Sequence, residues 1–270
     1  MTGFSRGVFA VLLACGLGTA LPAHADMQTL RSADNEIWGS VGGNFLNYKE
    51  PAPAPNLPDS EHGTLPSIAM GVSMLAAQGK GLGSNFYLSI DGSGSFGDAR
   101  YNGAYFYYPT QPLQGTTSEE IWTVDTKLGR ALPIGQNVLL IPYGDFGYRF
   151  WDRSLSADQD EQYQNFDLMA GVMVQVSPIK RLELTGYGAA GTTFSANMQT
   201  GGYDYPLGSA GEYKFGAKAG FAIIPQLELF TTLDFDHFHY VQSGVVDGAY
   251  EPSSFTNDTV WRVGLGYEYR

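Results

Sequence analysis

The sequence predicts an all-β protein: a transmembrane, antiparallel, up-and-down β-barrel of about ten strands, with eight or twelve as the alternatives. Three observations carry this prediction. Apolar and polar residues alternate with period two along most of the chain, while a helical period is absent. Short turns alternate with longer connections. Charged residues make up only 16% of the 270 and aromatics reach 14%, against about a quarter charged in an average soluble domain. The formal charge of -12 argues against a nucleic-acid partner, because that affinity rests on Lys and Arg neutralising phosphates. The single cysteine, Cys15, rules out a disulfide scaffold and a Cys-ligated zinc site.

The N-terminus reads as an address. Arg6 precedes an apolar stretch from Val8 to Leu17, and Ala23-His24-Ala25 supplies small residues around one spacer. Residues 1–25 are therefore expected to be a secretory signal peptide, and 26–270 a single barrel domain. Leu12-Leu13-Ala14-Cys15 resembles a lipobox, so lipoprotein processing at Cys15 is the alternative. About ten apolar residues cannot span a bilayer as a helix, which needs about twenty.

Ten alternating segments follow, near 37–48, 65–76, 84–94, 117–129, 137–151, 163–176, 180–190, 211–224, 226–239 and 257–269. In the last, Trp261, Val263, Leu265, Tyr267 and Tyr269 alternate with Arg262, Gly264, Gly266 and Glu268. Successive strand side chains point to opposite faces, so one face is apolar and the other charged or bare. Connections near 77–83, 130–136, 177–179 and 225 are short. Those near 49–64, 95–116, 152–162, 191–210 and 240–256 are longer and read as surface loops. Both chain ends then fall on the short-turn, periplasmic side. A soluble sandwich or lipocalin-like barrel also alternates, but aromatics at the strand ends argue for the membrane. Trp38, Tyr48, Trp122, Tyr143, Trp151, Tyr213, Tyr240, Trp261, Tyr267 and Tyr269 are expected to form interfacial girdles.

The signal peptide, the ten alternating strands and the ending Val263-Gly-Leu265-Gly-Tyr267-Glu-Tyr269 resemble the small Gram-negative outer-membrane β-barrels of the opacity-protein or porin-like kind. The resemblance is one of pattern and covers the mature chain. It implies residence in the bacterial outer membrane, contact with lipid and lipopolysaccharide, and delivery by the outer-membrane assembly machinery, as a monomer. Members usually end on an aromatic that this machinery reads; here Arg270 follows Tyr269.

With the apolar face on lipid, the other face turns inward. The expected lumen charge network comprises Asp125, Lys127, Asp145, Arg149, Asp167, Arg181, Glu183, Lys214, Lys218, Glu228, Asp234, Asp236 and Arg262, joined by Asp91, Glu212 and Glu268. Candidate pairs along one strand are Asp145 with Arg149 and Arg181 with Glu183. Gly216, Gly220, Gly264 and Gly266 are expected to make room for long neighbours. A barrel this narrow is just wide enough for side chains to fill, which favours a salt-bridged plug over an acid-lined ion path.

No catalytic site, metal site or cofactor is expected. The mature histidines are His62, His237 and His239. His62 reads as a solvated residue of the Pro-rich first loop. His237 and His239 face outward by parity, as amphipathic rim residues. The outer-membrane lipid hydrolases pair His with Ser two residues on, where this chain has His239. The omptin proteases use an Asp-His couple, which regular alternation places on opposite faces at Asp236-His237. The long loops carry recognition-type tyrosines (Tyr101, Tyr105, Tyr107, Tyr108, with Phe106) and the acids Asp152, Asp158, Asp160, Glu161, Asp247, Glu251 and Asp258, candidate holders of cations that bridge lipopolysaccharide. The expected role is structural or surface interaction with a largely filled lumen. A small cation-preferring channel is the first alternative and a hydrolase of lipid or peptide the second.

Overall fold

The structure is a computed structural model that describes residues 27–52, 54–79, 81, 83–105, 108–156 and 159–269. The expected signal peptide, Cys15, Phe106, Tyr107, Asp158 and Arg270 lie outside the described residues.

A short helix, α1 (Met27–Ala33), leads into twelve strands: β1 (Glu36–Glu50), β2 (Asp59–Leu75), β3 (Phe86–Tyr105), β4 (Tyr108–Arg130), β5 (Leu132–Ile134), β6 (Val138–Ser156), β7 (Gln159–Ile179), β8 (Leu182–Thr200), β9 (Tyr203–Pro206), β10 (Gly211–Ile224), β11 (Leu227–Tyr240) and β12 (Ser254–Glu268). β5 follows β4 after a one-residue break and pairs the same neighbour, β6. β9 likewise pairs β8, the neighbour of β10. The wall is therefore a closed, antiparallel, up-and-down barrel of ten strands. Its ring is completed where β8 meets β10, as in Gly216↔Tyr187, and where β1 meets β12, from Glu36↔Glu268 to Lys49↔Phe255.

Alternation sorts the side chains as the sequence predicts. Ile37, Val41 and Phe45 on β1, and Trp261, Val263 and Leu265 on β12, are exposed on the outer face. Between them Ser40, Asn44, Asp258 and Glu268 are buried inside. An exposed apolar belt over a polar interior inverts a soluble protein, and it is the solution that hydrocarbon demands. Close inner packing explains some glycines. A Cβ at Gly216 would come within 2.6 Å of Asp234 Oδ1 and 2.7 Å of the Tyr187 ring.

Two expectations about strand limits need correction. Most residues assigned to long loops are strand: β3 runs on to Tyr105, β4 begins at Tyr108, β6 reaches Ser156, β8 reaches Thr200, and β2 begins at Asp59 with His62 inside it. Above the belt the outward residues become polar, among them Lys49, His62, Arg100, Glu120 and Gln162, all exposed. The wall thus continues past the membrane as a collar. Pairing of both faces with water or lumen removes the apolar signal there, while the backbone ladder persists. Arg181 is also misplaced by parity. The register shifts between Val176 and Ile179, and Arg181 occupies the β7–β8 turn, exposed and with φ 72°. It is no part of the lumen, and its expected pairing with Glu183 is absent.

Val263 sits on the lipid face, opposite Val41 and Thr231 on the flanking strands. Val263→Arg should therefore destabilise the barrel by about 2–4 kcal/mol if it lies near the bilayer midplane. A lowered urea midpoint in phospholipid vesicles would show this; an unchanged midpoint would overturn the face assignment of β12.

Candidate functional site: the barrel interior

The interior divides by height into three zones. At the short-turn end α1 lies inside the barrel mouth, with Leu30 fully buried among Leu75, Tyr87, Ala131, Leu139 and Ile141. Polar contacts fix it. Arg31 Nη1 donates to Asn85 Oδ1 at 3.0 Å and Nη2 donates to the Ala76 carbonyl. The Leu75 amide donates to Asn35 Oδ1 at 3.0 Å, and Gln175 Nε2 donates to Asp34 Oδ1 at 2.7 Å. The sequence carries no helical period here because one seven-residue helix is too short to show one.

The middle zone is a charged chamber of about 260 Å³. Of the expected network, Asp125, Lys127, Asp145, Arg149, Asp167, Glu183, Lys214, Lys218, Glu228, Asp234, Asp236 and Arg262 all reach the interior. Lys127 Nζ is 3.0 Å from Asp91 Oδ1. Lys214 is 3.0 Å from Asp125 and 3.5 Å from Asp167. Lys218 is 2.8 Å from both Glu36 and Glu228 and 3.6 Å from Glu183. Arg262 is 3.6 Å from Asp234, whose Oδ1 accepts from the Tyr187 hydroxyl at 2.7 Å. Arg149 pairs with Glu212 at 3.3 Å and with Asp236, and lies 3.5 Å above the Phe238 ring. Arg149 thus bonds across the barrel to β10 and β11, and the expected pairing with Asp145 is not made. Ion pairs in low dielectric persist only where such bonds offset desolvation.

Above the chamber lies an aromatic layer. Tyr48, Trp151, Tyr163, Phe238 and Tyr240 are fully or almost fully buried. Trp151 meets Tyr48 at 5.5 Å, Tyr163 at 5.4 Å and Phe238 at 6.3 Å between ring centroids, and Tyr163 stacks on Tyr240 at 5.2 Å. Tyr48 and Trp151 come from β1 and β6, nearly opposite walls of the ring. Tyr48, Trp151, Tyr240, Trp38 and Tyr143 therefore do not belong to the girdle in which the sequence reading put them: the first three and Tyr143 are buried inside and Trp38 lines the chamber. Trp122, Tyr213, Trp261 and Tyr267 do face outward. Parity held the answer, since Trp151 shares a face with Asp145 and Arg149.

Beyond the aromatics, inside the collar, Arg153 stands among carboxylates. It bonds Glu61 Oε1 through Nε at 2.9 Å, pairs with Glu161, and lies 4.4 Å over the Tyr48 ring. Glu61 also accepts from Thr117 at 2.8 Å, and Glu119 accepts from Trp151 Nε1 at 2.7 Å. The Tyr163 hydroxyl is 2.6 Å from Glu251 and 3.1 Å from Glu161, tying the 241–253 connection to the wall. Glu61, Glu119 and Arg153 were missed by the sequence reading, although Glu119 shares the parity of Asp125 and Lys127. Glu161, Glu251 and Asp258, expected in loops as surface acids, are buried.

The histidines lie elsewhere. His237 and His239 sit on the outer side: His237 stacks on Tyr213 at 4.6 Å, with Nδ1 2.8 Å from Asn257 Oδ1, and His239 stacks on Phe255 at 5.5 Å.

The collar acids lie outside the membrane belt, and burial dominates their titration. Burial and then the Glu61 carboxylate push Glu119 up to about 10. Burial raises Glu50 to about 7. For Glu61 burial acts upward too, but the Arg153 guanidinium and its hydrogen bonds hold it below the ordinary range. A raised acid favours the folded state below its unfolded pKa, and that contribution is lost as pH rises through the folded value. The collar should therefore be firmest near pH 5 and loosen as pH climbs through about 7 toward about 10. Proteolysis of the 241–253 segment across this range should accelerate, and Glu119→Gln should flatten the upper part of the curve. Protection that increases with pH would contradict this.

No protein-family model and no curated protein matches the sequence. Among solved structures, the outer membrane protease OmpT of Escherichia coli superposes with a TM-score of 0.59 at 11% identity, covering 87% of this chain and 97% of that one. The transport unit of the Escherichia coli autotransporter AIDA-I covers 94% of each chain at 8% identity, with a TM-score of 0.42. Ail, the attachment invasion locus protein of Yersinia pestis, matches 87% of this chain and 99% of its own at 14% identity, with a TM-score of 0.31. At these identities it is architecture that is shared, and the chain has the fold of the ten-stranded outer-membrane β-barrels of Gram-negative bacteria.

Proposed function

We propose that the protein is a monomeric, non-conducting outer-membrane barrel, with a largely filled lumen, that presents its collar to the cell exterior. The observation that carries this reading is the aromatic layer, whose five rings show almost no solvent exposure and join opposite walls. A hydrated ion has no polar path through such packing. The collar supports a role in surface interaction, because Tyr105, Tyr108, Tyr203, Val245 and Tyr250 are exposed on it and on its connections. Amphipathic rings of this kind give contact area at small conformational cost. On this reading the barrel lies among outer-membrane lipid and lipopolysaccharide, and reaches its place through the assembly machinery.

The same reading gives the protein no catalytic role. Ail, an attachment protein by its name, and OmpT, a protease, are both similar to this chain, so architecture alone favours neither role. The stacking of His237 on Tyr213 and its bond to Asn257 support a packing role for this histidine.

The charged chamber favours a second reading, a channel gated by the aromatic layer. Planar-bilayer recording separates the two. The folded, inserted protein should be silent, and Trp151→Ala with Tyr163→Ala should introduce current by thinning the layer. Steady cation-selective current from the unaltered protein would replace the first reading with the second.

A further inference from the structure

The outer face of the collar is divided by charge. Phe45 is the last exposed apolar residue of β1, and Asn47 and Lys49 follow it on the same face. His62 of β2 stands opposite Asn47, and Arg100 of β3 stands opposite His62. Lys49 lies one outward position above that row, opposite Ser60. Lys49, His62 and Arg100 are all exposed. Direct and diagonal cross-strand neighbours lie roughly 5–8 Å apart, so the long Lys49 and Arg100 side chains can close on one small anion over His62. The same rows continue onto β12 and β11, where Asn257 and Phe255 stand opposite His237 and His239. Neither Lys49 nor Arg100 makes an ion pair among the described residues. Asp98, one outward position below Arg100, is the only outward acid among the described residues of these five strands. Across the ring the sign reverses. Glu120 of β4, one outward position above Trp122, stands opposite Asp152 of β6, and Asp160 lies higher on β7. At this height no base points outward among the described residues of β4, β6, β7 and β8.

We propose that this basic sector is the docking surface for a phosphorylated glycolipid of the outer leaflet. Lys49, His62 and Arg100 hold one headgroup phosphate, and the acyl chains lie on the belt below. Height determines the class of ligand. The sector begins where Phe45, Ile68 and Trp261 end the exposed apolar face, and there a lipid turns from acyl chain to headgroup. Arg and Lys bind phosphate through charge-assisted hydrogen bonds, and even a neutral imidazole adds one N–H donor. Extent argues for a large headgroup. From His239 on β11 to Arg100 on β3 there are four strand spacings of about 4.8 Å, roughly 19 Å in all. A sugar headgroup with a phosphate at each end covers such a face, and a single phosphodiester does not. The assignment rests on the reading that the collar faces the cell exterior, where the glycolipid resides.

The test titrates the full mature chain, folded in detergent micelles at pH 7.5, with three probes: lipid A bearing both phosphates, the same lipid stripped of phosphate, and phosphatidylglycerol. Native mass spectrometry counts the bound lipid, and the thermal midpoint is followed alongside. Bisphosphorylated lipid A should bind near one per barrel, raise the midpoint by several degrees and outcompete the other two. Half-molar salt should weaken it. Lys49→Gln with Arg100→Gln should lower its affinity roughly tenfold or more, while Glu120→Gln in the acidic sector should leave it intact. Circular dichroism shows whether each variant is folded, and Lys49→Gln alone is read if the pair is not. Equal binding of the stripped lipid would overturn the proposal, because the belt alone would then be the site. So would equal binding of phosphatidylglycerol, which would mean attraction to any anionic headgroup, or an unchanged affinity in the double variant, which would put the lipid elsewhere. Orientation is read separately, by labelling Gln114→Cys on intact cells with an impermeant maleimide. Labelling supports the exterior collar; its absence would overturn that reading and the source of the lipid, even with micelle binding intact.

Discussion

Inside hydrocarbon a peptide group has no water to bond, so every N–H and C=O in the wall must find another strand. That constraint organises this molecule. It requires the sheet to have no edges within the belt, and the β8–β10 and β1–β12 seams remove the last two. Once the ring is closed, period two assigns each residue to lipid or lumen with no intermediate choice. Closure also fixes a narrow interior, so large side chains from opposite walls meet. Arg149 reaches Glu212 and Asp236, and Trp151 reaches Tyr48, because the diameter is set by strand number.

Height then determines chemistry. In the belt the outer face is apolar and the inner face charged, while in the collar water lies outside and aromatics join the acids inside. Arg149 marks the transition, with its guanidinium paired to carboxylates and its flat face on Phe238. Arg153 repeats the arrangement above, with Glu61 and Glu161 as partners and Tyr48 beneath. A planar cation that bonds at its edge and stacks on its face suits the boundary between a polar and an aromatic layer.

How much of this the sequence shows follows from the same physics. The belt strands are legible because lipid imposes an apolar face, as on Trp261, Val263 and Leu265. The collar is not legible, because Gln114, Thr116 and Ser118 on its outer face carry no apolar signal, although they pair fully with β3. Arg181 shows how parity fails: a single irregularity at Ser177-Pro178 turns a lumen residue into a turn residue. The lumen bases were legible as inward residues, but their partners were not, since Arg149 bonds strands 63 and 87 residues away in sequence. Trp151 and Tyr48 were read by residue type as interfacial, when their parity with Arg149 and Asn44 had already placed them inside.

The height of the β3–β4 hairpin has a mechanical side. From Trp122, at the edge of the belt, to Tyr108, near its tip, β4 covers roughly 45 Å along its length at about 3.3 Å per residue. Over most of that length it is paired with β3, while β6 supports it on the other side only from Trp122 to Ser118. Its lower part is braced on both sides, and above Ser118 β4 is held through its ladder with β3. A partner that met the paired flanks of this hairpin would encounter backbone already ordered by its ladder, and the entropy that an unpaired loop forfeits on capture would have been spent during folding.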